Sequence, residues 1–436
     1  MMKILCYLFS ALFLLQPVLA QDISISSSEP NPKLFEGFIE DAKLGNIVFA
    51  TDSSTYSAAG FTWPWQNTLQ FNATHAFQVE TPKLNFIWDP QWLSDRSVIF
   101  KFGNPNSSYL PYSLALWDTK SSTAQTIAKG LSWKIILPSP NGRFLAYIRG
   151  GAEIPLRGGT TPSSLCTYDL QTKTEQTWPQ GQPLPGTLSW TPNNTLLVSL
   201  APSDEEQRAL RANSAIPAKT WSPSIYEADP FTQSVTPRID NAWRATVSPN
   251  DEWTAYYSFQ DPTKLEISDK AETSPDEAKS QEQKAKMFLV VARRDGSQPQ
   301  LVRPEPRGAS PIFWLPDNKS FLICETRFAG GSAGSATEPA KTALQVAVDR
   351  YDLKSQKLTR VGAFRYIAPK GTNVTEDNPL YKPIKITSDG RYLVGQLLQF
   401  EAPPNNGLML HAFDLQTGNA EVWAHIGSVR GLDWKE

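Results

Sequence analysis

Histidine, cysteine and methionine are all scarce: three, three and four residues in a chain of 436. The histidines, His75, His411 and His425, show no H-x-x-x-H spacing and no carboxylate at ligand spacing, so no metal site is expected. Cys6 falls in an N-terminal apolar stretch, which leaves only Cys166 and Cys324. Two cysteines are too few for a disulfide framework. They lie in the strand-like runs LCTYDL and FLICET of separate repeat units, and free buried thiols are expected. Charge of one sign is lacking too, the formal net charge being −2. With no basic stripe, a nucleic-acid partner has no electrostatic basis. There is no phosphate-cradling glycine loop, dinucleotide fingerprint or calcium loop, so no cofactor is expected.

Long hydrophobic runs are confined to the start. Residues 1–20, MMKILCYLFSALFLLQPVLA, combine Lys3, an apolar stretch and the small-residue end Val18-Leu19-Ala20. That is the pattern of a cleaved signal peptide, with the mature chain starting at Gln21 and destined for a secreted or periplasmic location. The stretch is short for a membrane span and nothing later exceeds it, so no span is expected after cleavage. Residues 21–45 read as an N-terminal extension, Ser- and Pro-rich and then EGFIEDAK, a candidate helical turn. Residues 46–436 read as one domain.

What is abundant is a repeat. QWLSDRSVIF, ILPSPNGRFLAYI, LSWTPNNTLLVSL, ATVSPNDEWTAYY, IFWLPDNKSFLIC and IKITSDGRYLVG each set an apolar residue before a Ser/Pro-Asn/Asp turn and a run of β-formers. GLDWKE repeats the beginning once more at the C-terminus. The apolar positions are Trp92, Leu137, Trp190, Val247, Trp314, Ile386 and Trp434. Their spacing, from about 45 to about 72 residues, is that of a four-stranded propeller blade with variable insertions. In strands A to D, the apolar residue ends A, and Asn, Asp and Gly supply the A–B turn. A second turn ends strand C in LWDTKS, TYDLQTK, YEADPFTQ, ARRDGSQ, RYDLKSQ and AFDLQTG. Its acids, Asp118, Asp169, Asp229, Asp295, Asp352 and Asp414, are expected to cap their own turns rather than to gather round a metal. The A-strand aromatics are expected to wedge between blades.

The turn W-x-P-[ND]-G-x-x-[LI]-x-[FY], followed by [YF]-D-L-x-T-[GK], resembles the WD-repeat-like propellers of the TolB C-terminal domain and of the dipeptidyl peptidases. The resemblance covers nearly all of residues 85–436. It implies an all-β propeller of four-stranded antiparallel blades, and in the TolB case a docking part of a larger assembly. The long insertions, and the blade around residues 224–260, depart from the pattern. Seven blades are expected, the last composite: Trp434 brings an A strand to NIVFATD at 46–52 and to two β-rich segments after it, FTWPWQNTLQF and ATHAFQVE. Six blades, with the N-terminal strands outside, is the second arrangement.

The long insertions fall between strands B and C, at about residues 103–112, 149–164, 202–221, 260–286, 328–342 and 400–406. Antiparallel strands send all these loops to one face, where binding surfaces of repeat folds collect. One catalytic string exists: Gly330-Gly331-Ser332-Ala333-Gly334 satisfies G-x-S-x-G, with His411 and His425 downstream. It lacks the strand-to-helix elbow that exposes such a serine, so it names no catalytic residue. No binding residue is named by the sequence either. The reading is an exported, non-catalytic binding scaffold with a protein partner, a glycan being the second candidate ligand. A propeller lyase or hydrolase with a channel site stays open, because residues converging from separate blades leave no local motif.

Overall fold

The computed structural model describes residues 24–28, 46–52, 56–57, 60–61, 67–71, 75–80, 86–94, 96–103, 112–121, 123–150, 163–178, 182–183, 188–201, 223–259, 287–305, 310–329, 342–368, 381–399, 407–426 and 429–435. Everything regular in them is β-structure. In chain order the strands begin with β1 (Ser24–Ser28), β2 (Asn46–Asp52), β3 (Tyr56–Ser57), β4 (Gly60–Phe61), β5 (Asn67–Phe71), β6 (His75–Glu80), β7 (Phe86–Ser94), β8 (Ser97–Gly103), β9 (Tyr112–Asp118) and β10 (Thr123–Pro138). Next are β11 (Phe144–Gly150), β12 (Ser163–Asp169), β13 (Thr174–Trp178), β14 (Gln182–Pro183), β15 (Ser189–Trp190), β16 (Leu196–Ala201), β17 (Ser224–Asp229) and β18 (Ser234–Ile239). Then follow β19 (Ala242–Val247), β20 (Trp253–Ser258), β21 (Met287–Arg293), β22 (Gln300–Glu305), β23 (Ile312–Trp314), β24 (Ser320–Ala329), β25 (Thr342–Asp352) and β26 (Lys357–Ala368). The last are β27 (Tyr381–Ile386), β28 (Tyr392–Gln399), β29 (Gly407–Asp414), β30 (Ala420–Ile426) and β31 (Val429–Lys435).

Two compact units are present: Met1–Asn31, Asn46–Gly130 and Arg430–Lys435 form the first, and Pro32–Gly45, Leu131–Val429 and Glu436 the second. In the first unit a five-stranded sheet runs β1-β6-β5-β2-β31. This is the composite sheet expected from both termini, with the C-terminal strand hydrogen-bonded beside residues 46–52. Ser24–Ser28, expected to be extension, adds an outer strand by pairing antiparallel with Ala76–Glu80. The EGFIEDAK segment lies outside the described residues. β7, β8 and β9 follow, their core built from Ile87, Val98, Phe100, Phe102, Ala115 and Trp117.

The second unit repeats one pattern. β19-β20-β21-β22, β23-β24-β25-β26 and β27-β28-β29-β30 are four-stranded sheets, and β14-β16-β17-β18 is joined by β15 beside β16. Alternation along each strand supplies two apolar faces, because successive side chains point to opposite sides. In β20, Ala255 and Tyr257 pack with Phe321, Ile323 and Tyr351 of the next sheet. Tyr256 instead joins Leu197 and Ile225 of the sheet before. Sheet thus packs on sheet through aliphatic and aromatic side chains.

β10 belongs to a seven-stranded run, β13-β12-β11-β10-β9-β8-β7, which holds two repeat units on one shared strand. Counted as separate sheets of four or more strands, the described residues hold six, the second of the two counts expected. The reason lies in β10: Thr123–Pro138 is one unbroken strand, so the strands that pair with it count as a single sheet.

Candidate functional site

Each repeat's acid caps its own turn, as expected. Asp118 Oδ1 accepts the N–H groups of Lys120 at 2.8 Å and Ser121 at 3.1 Å. The same bond reaches Asp169 from Gln171, Asp229 from Phe231, Asp295 from Ser297, Asp352 from Ser355 and Asp414 from Gln416. In three units a basic residue just before strand B adds an ion pair: Arg143 to Asp169 at 2.7 Å, Arg391 to Asp414 at 3.1 Å and Arg96 to Asp118 at 3.7 Å. The Arg143 guanidinium holds the Asp169 carboxyl below the usual carboxylate range. That arginine was legible in the sequence as the residue after N-G, D-G or S-D, but the pairing was not.

The inner-strand aromatics tie sheets together. Trp190 Nε1 donates to the carbonyl of Leu137 at 2.9 Å, and Trp314 Nε1 donates to that of Thr246 at 3.3 Å. Both acceptors lie at or next to the equivalent position of an earlier unit, Leu137 and Val247. Trp434 takes its place in β31.

Charged side chains join sheets at the same end. Glu227, on β17 and 8% exposed, receives Thr195, Arg238 and Arg294, the last from the sheet that follows. Burial pushes its carboxyl up, but the Thr195 hydroxyl and the two guanidiniums outweigh that and hold it low. Arg294 continues to Asp251 at 3.1 Å, and Asp251 accepts from Asn193 at 2.6 Å. Farther along, buried Asp349 binds Arg303 at 2.9 Å and Arg360.

The serine string and the histidines singled out in the sequence are not brought together among the described residues. Gly330–Gly334 lies outside them. His75 and His425 stand in β6 and β30, opposite Phe71 and Met409 in register. His411 is a core residue on β29, 5% exposed, with its ring 4.4 Å from that of Phe364. Cys166 and Cys324 are free and buried, and burial pushes the Cys324 thiol up to about 12. Within the described residues no three His, Cys, Asp or Glu side chains gather.

One feature escaped the sequence reading. Trp88-Asp89, Trp133-Lys134 and Trp243-Arg244 each place a tryptophan and a charge four and three residues before the A-strand apolar position. At each, the pairing of the inner strand slips against strand B: between Trp88 and Gln91, Leu131 and Ile136, and Trp243 and Thr246. A charged residue directly after Trp, four and three residues before the A-strand apolar position, was the available signal.

No protein-family model matches the sequence, and no curated protein does. Solved structures do resemble it. The tricorn protease aligns over 91% of this chain and 36% of its own, with 14% identity and a TM-score of 0.50. In fold, the chain is a β-propeller. TolB from Acinetobacter baumannii matches this propeller over 77% of the chain and 66% of its own length, just under two thirds, at 13% identity and a TM-score of 0.37. An oligogalacturonate lyase in complex with manganese covers 87% of the propeller and 86% of itself, at 13% identity and a TM-score of 0.46. The β-propeller inferred from the repeat is met, through the tricorn likeness, at the level of fold, and an identity this low speaks for nothing finer.

Proposed function

We propose that the protein is an exported, non-catalytic scaffold that binds a protein partner at the cell envelope through the loop-bearing ends of its sheets. One observation carries this. Within the repeat units the connections from the second to the third strand are the long ones: 104–111, 151–162, 202–223, 259–286, 330–341 and 400–406. Those from first to second strand in the second unit span only 139–143, 191–195, 248–252, 315–319 and 387–391. In the composite sheet, residues 53–66 between β2 and β5 follow suit and carry the β3–β4 ribbon. The interiors of the long connections lie outside the described residues. Antiparallel strands put every long connection of a sheet at one end and the bonded short turns at the other. The short-turn end is occupied in holding turns and sheets together, whereas extra length at the other end costs little stability. Export is supported by residues 1–20, and among the described residues no helix is long and apolar enough to cross a membrane.

Capture from envelope extract tests the reading, comparing the mature chain with a version whose B–C connections are each cut to four residues. The intact chain is expected to retain a partner that the trimmed chain loses. Equal recovery by both removes the loop end from consideration, and N-terminal sequencing of the secreted form is expected to start at Gln21.

A further inference from the structure

In most repeat units the first strand covers the second nearly to its end. Its pairing reaches Gly103 in β8, Arg149 in β11, Ser258 in β20 and Leu397 in β28, each within two residues of the strand's last. β24 differs. β23 pairs only with Phe321, Leu322 and Ile323 of a strand that runs on to Ala329. One bond follows, from the Cys324 N–H to the Pro311 carbonyl at 3.1 Å. Past it, β24 has no neighbour on its first-strand side among the described residues. The other side stays paired with β25 without a slip, from Ser320 opposite Asp352 to Ala329 opposite Ala343. The uncovered edge is thus held in strand form, at the end from which the 330–341 connection leaves. Thr326 on it is exposed, although Leu322, Ile323, Cys324 and Glu325 before it are buried.

Alternation along the strand fixes which backbone groups this edge presents. The Ser320 carbonyl accepts the Leu315 N–H at 3.0 Å and Cys324 donates to Pro311, so the even-numbered residues face the first-strand side. The Lys319 carbonyl accepts the Leu353 N–H at 2.9 Å, so the odd-numbered ones face β25. Kept in step, Thr326 and Phe328 direct two N–H groups and two carbonyls to the uncovered side. Donors and acceptors in that order match another extended polypeptide backbone, which is how sheet edges recruit strands. The chain itself shows the occupant that fits. On β16, β15 covers only Leu196 and Leu197, and a separate extended segment, β14, pairs antiparallel with Leu200 and Ala201 farther along. We propose that the β24 edge from Thr326 to Ala329 takes an extended segment of the partner protein as an added antiparallel strand. This rests on the scaffold reading for the partner's class and adds the place and mode of docking.

The test titrates the fluorescein-labelled hexapeptide KTVTVK into the full mature chain. Thr326→Pro removes one outward N–H and sets a ring against any incoming strand, while leaving the bonds to β25 in place. We expect peptide binding to fall by at least about tenfold in Thr326→Pro. The same loss is expected, with no change to the protein, for the peptide N-methylated at its four central residues. The melting temperature of Thr326→Pro should stay within about 2 °C of the native value. Arg327→Pro, whose N–H faces β25, should melt several degrees lower. Four results would each overturn the proposal: no binding by the native chain at about 1 mM peptide, unchanged binding by Thr326→Pro or by the N-methylated peptide, displacement of the peptide by cellohexaose, or a native dimer in light scattering that Thr326→Pro abolishes. A fall of several degrees in the melting temperature of Thr326→Pro would do so too, by showing that its N–H already has a partner. The assay uses no envelope extract and keeps every connection at full length, so its failure leaves the scaffold reading to its own experiment.

Discussion

His411 faces the ring of Phe364 rather than solvent, and burial holds its imidazole at about 4 instead of 6.5. The folded protein therefore keeps His411 neutral where the unfolded chain protonates it. The stabilisation is fully present above pH 6.5 and is lost as pH falls toward 4. The span corresponds to on the order of 3 kcal/mol. Urea midpoints measured from pH 7 to 4.5 should fall in the native protein, and His411→Phe should flatten that slope. An unchanged slope would assign the effect elsewhere. At Gly362 the limit is space: a Cβ there would stand 2.5 Å from the Gly418 carbonyl and 2.6 Å from the Phe413 ring. Gly418 also needs a left-handed φ of 75°. Gly362→Ala is expected to cost about 2 kcal/mol, read as a lower denaturation midpoint, because the obstacle includes backbone that cannot rotate away.

Strands are held by pairings the repeat motif does not name. Glu227 on β17 joins Arg238 of β18 to Arg294, the first residue after β21, so one carboxylate serves two sheets. Glu227→Gln keeps the shape and removes the charge from both cations. The expected loss is about 2 kcal/mol, discounted because the Arg238 side chain is 46% exposed. Since the folded carboxyl is held below its ordinary value of 4.5, this contribution is present above that pH and disappears as pH drops through the lowered value. The native protein and Glu227→Gln should therefore differ in stability at pH 7 and converge as the solution is acidified below the ordinary value of 4.5. A constant gap across that range would contradict the ion-pair account.

Across the whole chain, the first unit depends on its last residues. β31 lies beside β2, the fourth and fifth positions of the sheet β1-β6-β5-β2-β31. Ending the chain at Ile426 exposes the edge of β2 and removes one side of its hydrogen bonding. The truncated protein should melt at a lower temperature and be cut by protease within residues 46–80 before any other strand region. Cleavage that begins elsewhere would show that β31 is dispensable. Two free buried thiols, Cys166 and Cys324, offer no covalent substitute for this strand.

The repeat, its turn-capping acids and the meeting of both termini in one sheet were legible because each rests on near neighbours or on runs of β-formers. Asp169 finds its N–H partner two residues on, and the apolar run in NIVFATD reads as a strand with an open edge to fill. The blade count was less legible, since whether β10 breaks at residues 130–135 depends on both flanking strands together. Arg244 shows the limit most clearly. Nothing in NAWRATV sets an arginine at a left-handed φ of 52°; that comes from Trp243 and Thr246 each keeping register with β20 while Ser199, 45 residues earlier in the chain, fixes the amide between them. Sequence alone determined the hydrogen bonds that each repeat makes with itself. The tertiary structure decided which residues are strained, buried or shared between sheets, because those states are set by segments that meet only when the sheets pack.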